Sequence, residues 1–146
     1  MSRRSRAEVI AAICRLPLDH RTGARSRYGL FRASGFFSLP QRPTEAEFAT
    51  YLREHPELIR EWWILSGDQR SSEGLAYEDK RLGEPPRLRW HIYYFGGRTP
   101  DPGELFDDEA DACAHYVRRY CDMRAERPVG TWTAWLIDLV MLGPDR

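Results

Sequence analysis

Lysine is nearly missing from this chain, and so are most of the short signatures that announce a chemistry. Of the 22 basic residues all but Lys80 are arginine, and 22 acidic residues balance them to a formal net charge of zero. A zero balance gives the whole-chain field no pull toward polyanions, which argues against a dedicated nucleic-acid binder and against an anionic membrane surface. The arginine excess reads as coding composition as readily as selection for bidentate contacts. Long apolar runs are also lacking. The longest, Ala134 to Leu142, is broken by Asp138 and far too short to span a bilayer. The basic start Met1 to Arg6 leads into Ala7 to Leu16, which Glu8 and Arg15 interrupt, so no secretory apolar region is read there.

Cysteine is scarce and odd in number. Cys14, Cys113 and Cys121 have neither the pairing of a disulfide framework nor a histidine at metal-ligand spacing. They read as reduced core thiols, and with them cytoplasmic residence, no disulfide and no structural metal are expected. Glycine-rich phosphate loops, Gly-x-Ser-x-Gly elbows and His-Glu-x-x-His pairs do not occur. No cofactor is expected.

What is present is a chain of 146 residues, 42% apolar, of the size that buries one core without staples. Val9, Ile10, Ile13 and Leu16 recur at helical spacing after Ser5, with Pro17 as the stop. Between Leu18 and Pro43, turn residues surround two aromatic pieces, and Tyr28 to Ser38 is read as sheet because a long structureless loop is unusual in a small domain. Thr44-Glu45-Ala46-Glu47 is a capping-box sequence. It opens a helical stretch to Leu65 that His55-Pro56 divides into two helices or kinks as one.

Leu75 to Lys80 and Leu88 to Phe95 then read as a strand pair, the second arm alternating Leu88, Trp90, Ile92, Tyr94 against Arg89, His91, Tyr93, Phe95. Gly96 to Gly103 is a loop. Asp107 or Asp108 caps a helix to Arg124, with acids in its positive first turn, arginines toward its negative end, and a buried stripe of Ala110, Cys113, Ala114, Val117, Tyr120 and Cys121. Thr131 starts a last helical pattern through Trp132, Trp135, Leu136, Leu139 and Val140, either buried within the subunit or half of a homodimer contact. The expected whole is a single α+β domain over residues 1–146, helices packed on a small antiparallel sheet. Trp62, Trp90, Ile92, Val117 and Tyr120 are its expected buried anchors.

Two constellations invite a chemical reading. His20, His55, His91 and His115 are the four histidines. Only His91 on a strand and His115 on the polar side of its helix are worth pairing, as the acid and base of a metal-independent nuclease or transferase. Asp101, Glu104, Asp107, Asp108, Glu109 and Asp111 cluster without the spacing of a calcium loop, and helix-dipole complementarity already accounts for the acids at the helix start. A third feature concerns recognition rather than catalysis. Trp62-Trp63, the polar turn Ser66 to Gly74 and the aromatic hairpin form a dense aromatic and charged stretch of the kind that binding surfaces use.

The segments Phe48 to Ile59, Glu61 to Arg70, the Ser71-Ser72-Glu73-Gly74 turn, the hairpin, and Phe106 to Val117 occur in an order that resembles a group of short bacterial immunity proteins encoded beside polymorphic toxins of the Rhs and contact-dependent type. The similarity spans Phe48 to Arg119. Leu75-Ala76-Tyr77 departs from the family's aromatic after the glycine, and the segments before Pro43 and after Arg127 look like additions. The resemblance implies a non-catalytic protein that binds one cognate protein toxin and occludes its active site. In this chain the partner-binding groups are then expected on the turn and hairpin, at Trp63, Asp68, Arg70, Glu73, Tyr77 and Asp79. Their plain alternative is turn chemistry and hairpin packing.

Overall fold

The computed structural model describes residues 3–68, 74–97 and 99–126. Ser5 begins the first helix, α1 (Arg6–Cys14), with a reciprocal cap: its hydroxyl accepts from the Glu8 amide, and the Glu8 carboxylate accepts from the Ser5 amide. Val9, Ile10, Ile13 and Cys14 turn inward. Pro17 does not simply end this helix. It lies in the first turn of a second, α2 (Leu16–Thr22), where its missing N–H leaves no bond unmade.

The expected sheet at Tyr28 to Ser38 is helical instead. Arg27–Ala33 forms α3 and Phe36–Ser38 a single 3₁₀ turn. Ser26 caps α3 by accepting from the Gly29 amide, and Tyr28 and Phe31 point inward from positions three apart, a spacing that a strand would split between its two faces. Gly35 joins the two pieces at φ 92, a left-handed geometry that glycine adopts without strain. Tyr28, Phe31 and Phe36, taken for strand residues, are thus core residues of short helices, with Phe31 fully buried and Phe36 nearly so, while Phe37 is exposed.

The Thr44 cap is present in full and starts α4 (Glu45–Glu54). His55-Pro56 separates it from α5 (Glu57–Ser66), so the stretch is two helices. Gly74–Leu82 and Arg87–Phe95 form β1 and β2, and Glu104–Phe106 adds a third strand, β3, between the stretches read as loop and as helix cap. The sheet is antiparallel in the order β1-β2-β3. Last among the described residues is α6 (Glu109–Glu126). These six helices and three strands make the α+β architecture expected from the pattern. Residues 127–146, which include the Trp132 to Leu142 pattern, lie outside the described residues.

The register assigns the two faces of the sheet. Tyr77 pairs with Ile92, and Asp79 with Trp90, which in turn pairs with Phe106. Since side chains alternate along a strand, these residues share one face, and Glu78, His91, Tyr93 and Leu105 share the other. Helix α6 packs on the first face. Its Tyr116 ring meets Tyr77, and Phe106 meets His115.

At the centre Trp62 is fully buried, its ring edge-on to Tyr116 and Tyr120, with Phe48, Leu52, Leu58, Ile92 and Val117 around it. Each such side chain contributes about 1.5–3 kcal/mol by leaving water. Trp90, expected beside them, is only partly buried. Because α4, α5 and the sheet surround α6, every residue from Ala112 to Val117 is buried, not just one stripe. That enclosure takes in His115, expected on the polar side of the helix and here 3% exposed.

Candidate functional site

Helix α5 carries two sets of side chains. Leu58, Ile59, Trp62 and Leu65 follow the buried stripe, while Arg60 and Trp63 lie three apart at its margin. Facing that margin, the hairpin extends past the cover of α6 and presents Asp79 directly across from Trp90, with Leu88 two residues away on the same face. Glu109 enters from the start of α6. Between them is an open cleft of about 460 Å³, with Pro56 and Ile59 completing its wall.

Packed aromatic rings back the cleft. Trp63 packs edge-on against Tyr77 at 5.2 Å between ring centroids, and Tyr77 is itself wedged against Tyr116. The Tyr77 hydroxyl is buried without a hydrogen-bond partner among the described residues, and burial, with the Cys113, Glu109 and Asp108 groups close by, pushes its pKa well above the usual phenol range. Tyr77 therefore stands behind Trp63 rather than lining the cleft.

Charge in the cleft contrasts with charge around it. Asp107 binds Arg87 and Arg89, at 3.0 and 2.9 Å, and Arg53 reaches both Asp108 and Asp111. Asp101 accepts from the Tyr94 and Gly103 amides and from Arg119, contacts that hold its carboxyl below the ordinary range. Four acids of the sequence cluster, Asp101, Asp107, Asp108 and Asp111, are thus engaged by arginines or backbone amides, and among the described residues no group of His, Cys, Asp or Glu is arranged to hold a metal ion. The side chains of Asp79, Glu109 and Arg60, by contrast, make no ion pair or hydrogen bond among the described residues.

Of the partner-binding residues read from sequence, the structure brings Trp63 and Asp79 into this cleft, with Tyr77 behind them. Asp68 is elsewhere: its carboxylate takes a 2.7 Å bond from Arg27, both side chains about one quarter exposed, which ties the end of α5 to α3. Arg70 and Glu73 lie outside the described residues. Arg60, Leu88, Trp90 and Glu109 were not read as partner-binding, although the pairing of Trp90 with a charged position on β1 was latent in the hairpin pattern.

The two histidines do not meet. His91 lies on the face away from α6, stacked on Tyr93 at 4.7 Å, with its Nε2 2.8 Å from the Pro102 carbonyl oxygen. His115 belongs to the helix on the other face, its Nδ1 2.7 Å from Glu45 Oε1. The sheet therefore stands between them, and they cannot bracket one phosphate. Glu45 is pushed up by burial, but its hydrogen bonds from Arg118 and His115 outweigh this and leave its carboxyl below the usual range. This trio joins α4 to α6. No family model, curated protein or solved structure matches the chain. No helix among the described residues is long and apolar enough to cross a membrane.

Proposed function

We propose that this protein is a toxin-neutralising immunity protein, which binds a cognate bacterial toxin and occludes the toxin's active site. The observation that carries the reading is the cleft between α5 and the hairpin, where partly exposed Trp63 and Trp90, backed by packed aromatic rings, stand beside Asp79, Glu109 and Arg60, whose side chains are unpaired among the described residues. Aromatic anchors held in place by a core and flanked by uncommitted charge are what protein interfaces use: the aromatics slow release, and the charges speed encounter and set register. An occluding inhibitor needs no proton transfer, so nothing in this function requires His91 and His115 to converge.

The test is rescue of cells that express the toxin encoded beside this gene. Wild-type protein should restore growth. Trp63→Ala combined with Asp79→Arg should lose rescue and lose binding in a purified mixture, while remaining folded, and His91→Ala should keep both. Absence of any toxin gene nearby, or rescue that survives the double substitution, overturns the proposal. Asp68 is not a suitable target for this purpose, because its reversal breaks the pair with Arg27 and so disturbs the fold as well as the surface.

A further inference from the structure

The same cleft has a chemistry specific enough to name what enters it. Two of its charged groups are carboxylates, Asp79 from β1 and Glu109 from α6, and both are exposed and, among the described residues, unpaired, although arginines neutralise Asp107, Asp108 and Asp111 close to Glu109 in the chain. Two of its walls are indoles, Trp63 from α5 and Trp90 from β2. Indole is the best aromatic partner for a cation, and carboxylates are the best acceptors for a planar guanidinium. Among the described residues Arg60 is the single cation lining the cleft. It contacts neither carboxylate, so it leaves an excess of one negative charge there.

We infer that the cleft receives one arginine side chain of the protein partner, its guanidinium held by Asp79 and Glu109 and its apolar stem laid against Trp63 and Trp90. The inference rests on the reading of this cleft as a docking surface and adds the chemistry of the docked group. Arginine suits the site better than lysine. A guanidinium stacks on a ring and bonds in its own plane at once, and it leaves water more readily than an ammonium does. The aliphatic part of the side chain matches Leu88, Ile59 and Pro56, which line the cleft beside the indoles. An acidic occupant would instead meet two carboxylates against one guanidinium and be repelled.

The experiment needs no toxin, so its failure is distinguishable from failure of the immunity reading. N-acetyl-arginine amide is titrated into the full-length protein while the indole N–H resonances are followed by NMR, with Trp63→Phe and Trp90→Phe used to assign them. A saturable shift of both indoles is expected, with a dissociation constant on the order of 1–10 mM. N-acetyl-citrulline amide, the neutral isostere, should bind at least about tenfold more weakly, and Asp79→Asn or Glu109→Gln should each weaken arginine binding by about threefold to tenfold. Arg60→Ala should leave binding equal or stronger, since it removes the competing cation. These exposed, unpaired positions leave folding intact, which circular dichroism checks. No saturable shift at about 50 mM, equal binding of citrulline, or preferential binding of N-acetyl-aspartate amide overturns the inference. Loss of toxin rescue with intact arginine binding would sink only the immunity reading.

Discussion

The Trp62 indole N–H donates to the Cys14 carbonyl oxygen across 2.9 Å, joining α5 to the last residue of α1. Carbonyls in the last turn of a helix have no partner within it, and a buried one left unpaired is costly. Trp62 therefore performs two tasks, filling the centre of the core and closing the end of a helix 48 positions away in sequence.

Those tasks separate by substitution. Trp62→Phe keeps most of the apolar volume but leaves the Cys14 carbonyl without its donor, and should cost about 1–3 kcal/mol. Trp62→Ala loses the packing too and should cost about 3–5 kcal/mol. Urea unfolding followed by circular dichroism measures both. Equal losses for the two variants would mean that the hydrogen bond, not the packing, dominates at this position.

Glu47 makes acid stability partly local. The hydrogen bond from the Arg6 guanidinium, opposed by desolvation and helped by the Thr44 amide, holds its carboxyl at about 2. An unfolded-chain carboxyl titrates near about 4.3, so between these values the unfolded state binds the extra proton. The contribution of the pair is therefore complete above about pH 4.3 and is lost as pH falls through about 2. Both side chains are about one third exposed, which limits the effect to less than about 1 kcal/mol. Unfolding free energy measured against pH should fall less steeply in that window for Glu47→Gln than for wild type.

Gly103 is the most demanding glycine among the described residues. It sits at φ 68 just before β3, and a Cβ there would strike the Ile92 carbonyl oxygen and come within 2.6 Å of Tyr93 Cβ. The obstacle is backbone of the neighbouring strand, which no side-chain rotation can clear. Gly103→Ala should cost more than about 1 kcal/mol, through strain at positive φ and displacement of β3. A lowered thermal midpoint, with faster amide exchange at residues 104–106, is the expected outcome; an unchanged midpoint would show that β3 contributes little.

Local chemistry made much of this fold readable. The Thr44 and Ser5 caps, the break at His55-Pro56, the alternation of β2 and the apolar positions of α5 and α6 each depend on residues a few positions apart, so propensity and period were enough to locate them. Tyr28 to Ser38 failed for an equally local reason. Aromatics among glycines fit strand composition, and the signal that mattered was the Ser26 cap with Tyr28 and Phe31 three apart. β3 has only Glu104, Leu105 and Phe106, too short to show a period, and exists because β2 offers it an edge.

By itself, the sequence determined the α+β class, the boundaries of the long helices, and the concentration of aromatic and charged groups around α5 and the hairpin, all through short-range pattern and side-chain chemistry. Tertiary structure alone decided which of those groups share a space. It buried His115 by enclosing α6, set a sheet between His115 and His91, engaged Asp68 with Arg27, and left Asp79 and Glu109 unpaired beside Trp63 and Trp90. The physical reason is that ion pairing and burial depend on which elements pack together, and residues far apart in the chain acquire neighbours only when the core closes.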